Sequence, residues 1–182
     1  MRIISGIHKG RRLRAPKNLP VRPTTDMAKE GLFNILTHRY EFQDCKVLDL
    51  FSGTGNIAYE FCSRGSKIVH AIDKDRRCIR FIKETTASLN MAIQPLQSDV
   101  FSFLENSTQS YDIIFADPPY DMESAQFERV VDLIFKRSLI HPNGIFIVEH
   151  SKHTDLSNCS NFEKSKTYGG NCFSFFEKKA DL

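Results

Sequence analysis

Residues 46–58, KVLDLFSGTGNIA, join two periodicities at a glycine-rich turn. The first six form a short apolar run interrupted by Asp49, the pattern of a buried strand, and the stretch from Asn56 onward continues as a helix. Gly53 and Gly55 let the backbone turn tightly and approach a ligand, and the helix start supplies free N–H groups. The Gly-x-Gly-x-x-Ala spacing that ends at Ala58 is that of a nucleotide-type loop, although an ordinary strand-to-helix turn reads the same way.

Moving outward, apolar runs alternate with helix-length segments. KIVHAID is followed by a helix over about 75–90, PLQSD by a short helix, and YDIIFAD by a helix over about 123–137. GIFIVEH then precedes FEKSKTYGG and CFSFFEK. Such alternation predicts an α/β fold, a mostly parallel sheet with helices on both faces, closed by an antiparallel hairpin around Gly169 and Gly170. Ligands in such sheets bind beyond the carboxyl ends of the strands.

Upstream, residues 2–14 alternate loosely around Gly6 and Gly10, which suits a short twisted hairpin. Thr25 or Asp26 can cap a helix over about 26–39 in which Ala28, Gly31, Leu32, Ile35 and Leu36 share one face. Residues 1–25 hold Arg2, Lys9, Arg11, Arg12, Arg14, Lys17 and Arg22 and no acid, so a basic arm precedes a body with 18 basic and 22 acidic residues. Clustered cations of this kind bind polyanions, although a solvated charged hairpin has the same composition.

With 182 residues, 41% of them hydrophobic, the chain can bury one sizeable core, and a monomer is expected. Five scattered cysteines with no CxxC pair predict neither a disulfide framework nor a zinc site, and no metal is assigned. No apolar stretch reaches the ~18 residues of a membrane span, and the first residues lack a secretory signal pattern. A cytoplasmic protein without a membrane partner is the expectation.

Three further strand ends carry polar signals. Asp73 lies 20 residues after Gly53, where a carboxylate can accept from the hydroxyls of an adenosine ribose, unless it only starts the next helix. Asp99 can take an adenine amino group or cap a helix. At the fourth end stands Asp-Pro-Pro-Tyr, residues 117–120. Each proline holds the preceding residue extended, and neither has an N–H, so the rim is stiff and offers acceptors to an NH2 group. Tyr120 adds a face on which an extruded base can stack.

VLDLFSGTG, the acids at 73 and 99 and DPPY together resemble class I S-adenosylmethionine-dependent methyltransferases acting on exocyclic or amide nitrogens. RIISGIHKGRRL, RPTTDMAKEGLFNIL and YGGNCFSFF resemble the RsmD-like 16S rRNA guanine-N2 methyltransferases more narrowly. The resemblance implies a Rossmann-like, seven-stranded domain over residues 43–182 and an RNA-contacting extension over residues 1–42. It also implies S-adenosylmethionine as cofactor and 16S rRNA or the small ribosomal subunit as partner.

The expected cofactor contacts are Asp49, Phe51, Gly53, Gly55, Asp73, Asp99 and Val100, and the expected catalytic loop is Asp117, Pro118, Pro119 and Tyr120. The expected RNA contacts are Arg2, Lys9, Arg11, Arg12, Arg14, Arg22 and Lys29. Asp117 is expected to orient the target amine with an ordinary carboxylate pKa of about 3.9. Met27 stands where arginine is usual in that family, and Asn171 where threonine is common. Adenine N6 of DNA and a protein glutamine amide remain alternative acceptors. An NAD-dependent dehydrogenase is supported only by the glycine loop and Asp73.

Overall fold

The computed structural model describes residues 1–16, 19 and 24–178. Its centre is a seven-stranded sheet: β1 (Lys46–Leu50), β2 (Ile68–Asp73), β3 (Ile93–Gln97), β4 (Tyr111–Ala116), β5 (Ile140–Ser151), β6 (Phe162–Tyr168) and β7 (Asn171–Phe176). The spatial order is β3-β2-β1-β4-β5-β7-β6, parallel through β5. The last two strands run antiparallel.

The helices are α1 (Asp26–Thr37), α2 (Asn56–Ser63), α3 (Arg76–Leu89), α4 (Val100–Asn106) and α5 (Ser124–Lys136). Because side chains alternate across a strand, Val47, Ile113, Phe115, Ile145, Ile147 and Phe173 face one core, with α1, α2 and Ile82 of α3. Leu48, Leu50, Ile114, Phe146 and Val148 face the other, with α4 and α5. Both faces are therefore covered, as a parallel sheet requires. The edges differ: β3 carries Pro95, which cannot donate to a further strand, and β6 exposes Lys164 and Lys166.

Helix ends follow local chemistry. The Thr25 side chain accepts from Ala28 N–H at α1, Asp75 from Arg77 N–H at α3, and Asp99 from Ser102 N–H at α4. Gly55 precedes α2 at φ 84° and has no side chain to cap it. Asp49 Oδ2 does so from β1, accepting Ala58 N–H at 3.1 Å.

The N-terminal segment forms a hairpin with a single bridge, Arg2↔Arg12, in place of full strands. It lies along α2. Ile7 N–H donates to the Ser63 carbonyl at 2.8 Å, satisfying a group left open at the helix C-terminus. Gly6, at φ +83°, is required there, since a Cβ would sit 1.8 Å from that carbonyl oxygen. At the other end of α2, Met1 Sδ lies 3.9 Å from Thr54 Oγ1 in the glycine loop.

Candidate active site

Parallel register brings the predicted strand ends into one row. Leu50 pairs with Ile72 and Ala116, Asp73 with Gln97, and Ala116 with Val148. The loops after β1, β2, β3 and β4 therefore emerge side by side. Backbone bonds tie them further: Ser52 N–H to Ile72 O (2.9 Å), Ser98 N–H to Asp73 O (3.0 Å) and Asp117 N–H to Leu50 O (3.3 Å).

On the β1–β2 side, the turn runs through Phe51, Gly53 and Gly55, all at positive φ. A Cβ on Gly55 would lie 3.1 Å from Ile82 and Tyr59 side-chain atoms, so bare backbone fits here. Half-buried Asp73 accepts Gly53 N–H and Asp75 N–H, each at 2.8 Å, leaving a lone pair on each oxygen for a ligand. Burial raises its pKa, and the two N–H bonds pull the other way. Asp75, not Asp73, is the helix-starting acid.

Asp99 does cap α4, through Oδ1 at 3.0 Å; its second oxygen stays available on an exposed residue. Val100 beside it is buried. Ser52 Oγ is buried with no hydrogen-bond partner among the described residues. The unsatisfied hydroxyl, the two-oxygen acid and the bare backbone loop suit a ligand bearing a ribose, as S-adenosylmethionine does. Phe51, Gly53, Gly55, Asp73 and Asp99 would hold it, with Asp49 acting through α2.

On the β4–β5 side, a cavity is lined by Asp117, Pro118, Pro119, Tyr120, Phe127, Glu149, His150, Ser151, Thr154 and Asn171. Tyr120 stands at the rim, 71% exposed. No described group donates to the Asp117 side chain, which keeps its acceptor positions open.

The expectation of an ordinary carboxylate at Asp117 is corrected. Burial, then the neighbouring Glu149 and Asp49 carboxylates, push its pKa well above the usual range. Asp49 itself is raised by burial. Glu149 was not singled out from the sequence. It is a buried acid at the end of β5, gripped by the Thr24 hydroxyl and the Asn171 amide, both at 2.6 Å.

Lys29 is a second correction. Its side chain is fully buried, and Nζ donates to Arg2 O (2.6 Å) and Asn56 Oδ1 (2.9 Å) and lies 3.4 Å from Glu60 Oε2. It cannot touch RNA from there. Arg2 is exposed and paired with Asp26 at 2.9 Å, while Lys9, Arg11, Arg12 and Arg14 are exposed. Lys17 and Arg22 lie outside the described residues. Among the described residues there is no cluster of metal-ligating side chains and no helix long and apolar enough to cross a membrane.

A parallel five-strand core extended by an antiparallel pair, with β7 inserted between β5 and β6, is the architecture of the class I methyltransferases. The chain is a methyltransferase of that class, and the methyl donor of the class is S-adenosylmethionine. Residues 1–177 match the family model described as "Conserved hypothetical protein 95", and the chain belongs to that family, which is the RsmD-like one.

"Ribosomal RNA small subunit methyltransferase D" of Haemophilus influenzae is 30% identical over 176 residues, covering 93% of this chain and 89% of that protein. The protein of the same name from Escherichia coli K12 is 29% identical, covering 86% and 77%. The solved structure of "Putative methyltransferase yhhF" from Escherichia coli superposes with a TM-score of 0.86 at 28% identity, covering 100% of this chain and 99% of that one.

Proposed function

We propose that the protein transfers the methyl group of S-adenosylmethionine to the exocyclic N2 amine of a guanine in small-subunit rRNA. The observation that carries this reading is the β4–β5 cavity, whose rim is the Asp117–Tyr120 loop, rich in acceptors and poor in donors. The names of the 30% and 29% identical relatives support an rRNA substrate, as does the exposed cationic hairpin beside the site.

Bound S-adenosylmethionine supplies an electrophilic methyl on a sulfonium. The amine of guanine is a poor nucleophile, because its lone pair is delocalised into the ring. Asp117 and the Pro118 carbonyl accept its two N–H groups and turn that lone pair toward the cofactor side of the row of strand ends. Tyr120 stacks on the extruded base, offsetting the few kcal/mol that extrusion costs.

As positive charge develops on nitrogen, the Asp117 carboxylate stabilises it more than it stabilises the ground state. Its raised pKa also makes it a better proton acceptor than an exposed aspartate. Only the ionised Asp117 stabilises the developing positive charge and can take the proton, so activity falls as pH drops through that raised pKa.

The test is incubation with methyl-labelled S-adenosylmethionine and unmodified 16S rRNA, small subunits or DNA, followed by mass identification of the labelled nucleoside. N2-methylguanosine from the rRNA is expected. Label on adenine or on protein would keep the cofactor and replace the substrate.

A further inference from the structure

Asp117 and Glu149 follow the register pair Ala116↔Val148, so they are neighbours on adjacent parallel strands, and both line the same cavity. They are held very differently. Glu149 is 6% exposed, with Oε2 accepting from Thr24 Oγ1 and Oε1 from Asn171 Nδ2. Two clamps, one before α1 and one from β7, fix the carboxylate while leaving each oxygen a second lone pair. Burying an acid is costly, and an apolar side chain would close the strand end without that cost.

We infer that Glu149 is a specificity-determining residue of the base pocket, accepting the ring N1–H of guanine while Asp117 accepts from the adjacent amine. This rests on the guanine reading above. The chemistry is a match of two neighbouring acceptors to two neighbouring donor positions. Adenine places a ring lone pair beside its amine, and that lone pair would face a carboxylate with no hydrogen between them. A site built to receive a donor discriminates strongly against a base that lacks it, because the buried acceptor is left unpaired.

Among the described residues, the charged and titratable groups around the pair are Asp49 from β1, His150 next to Glu149, and Tyr120 at the rim. His150 is engaged by Ser151 O at 2.8 Å and Ser174 Oγ at 2.7 Å, and burial lowers its pKa, so it adds no positive charge at neutral pH. After burial itself, Glu149 is therefore the largest influence on Asp117.

The experiment uses Glu149→Gln, which preserves shape. The amide oxygen can still accept from Asn171, and the Thr24 hydroxyl can switch from donor to acceptor. Wild type and variant are compared on rRNA carrying guanine, or 2-aminopurine, at the methylated position. 2-Aminopurine keeps the amine and replaces the N1–H by a lone pair.

The variant should lose roughly ten- to a hundredfold in kcat/KM on guanine, the order for a hydrogen bond to a charged group, and far less on 2-aminopurine. The preference for guanine then collapses. Affinity for S-adenosylmethionine should be unchanged, and the acid limb of the pH profile should move to lower pH, since one carboxylate no longer repels Asp117.

Equal losses on both substrates, or no loss, would overturn the inference while leaving guanine methylation intact. Wild-type label on another nucleoside would instead overturn the guanine reading on which it rests. If Glu149→Gln melts non-cooperatively, Asn171→Ala must lower the guanine preference in the same direction, and an unchanged preference there overturns the inference too.

Discussion

The burial that raises the Asp117 pKa costs the fold stability. The folded-state pKa is raised, whereas the unfolded chain's aspartate has its ordinary value near 3.9. Between these two values the folded state holds more protons, so this group's contribution to stability falls as pH rises through the window. At neutral pH this buried acid therefore disfavours the fold relative to acid pH. Asp117→Asn should therefore raise Tm at pH 7.5, with the difference from wild type vanishing near pH 4; a lower Tm at neutral pH would contradict this. Asp73 answers to a different measurement. Asp73→Ala removes an acid that accepts one backbone N–H from the glycine loop and one from the start of α3, and should weaken S-adenosylmethionine binding roughly tenfold or more, read by calorimetry.

At the scale of elements, the hairpin, α1 and α2 meet at one buried charge cluster. Glu60 of α2 accepts Ile4 N–H (2.9 Å), Ser5 N–H (3.0 Å) and Arg64 Nε (2.8 Å), with Lys29 Nζ close by. Burial lowers the Lys29 pKa and Glu60 supports its charge. Without Lys29, Glu60 keeps Arg64 and the two backbone donors, but the Arg2 carbonyl and Asn56 Oδ1 lose their buried donor, so Lys29→Met should cost about 2 kcal/mol. Hydrogen-exchange protection should be lost first over residues 3–13, and unchanged protection there would separate the cluster from the hairpin.

Legibility in the sequence followed the range of the interactions. Helix 26–39 is observed as Asp26–Thr37, because an apolar stripe and a threonine cap are local signals. Lys29 reads as an RNA contact in the sequence because the acid it pairs with, Glu60, stands on another helix. Glu149 was passed over inside GIFIVEH because its clamps come from Thr24, 125 residues away, and from Asn171. β5 starts at Ile140, before the apolar run at 144, because Ile140 pairs with Tyr111 across an irregularity that periodicity does not encode.

Across the whole molecule, charge and chemistry are divided along α2. The glycine loop sits at its N-terminus with Met1 close by, and the hairpin tip at its C-terminus, about 12 Å away for eight residues at 1.5 Å each. Arg2, Arg12 and Arg14 thus lie toward the loops that form the site, and Lys9 toward the far end. A proposed contact with about six phosphates makes rRNA affinity fall on the order of a thousandfold between 50 and 200 mM salt. Replacing Arg11 and Arg12 by alanine should flatten that slope without altering kcat at saturating RNA, and a parallel loss of kcat would place these arginines in the chemistry.

The most direct measurement compares wild type with Asp117→Ala on unmodified rRNA, reading the labelled nucleoside by mass and S-adenosylmethionine affinity by calorimetry. The expected result is N2-methylguanosine from wild type, a loss of about a hundredfold or more in kcat for the variant, and cofactor affinity nearly unchanged. Full methylation by Asp117→Ala, or equal losses of rate and cofactor affinity, would contradict the assignment of the chemistry to the pocket between β4 and β5.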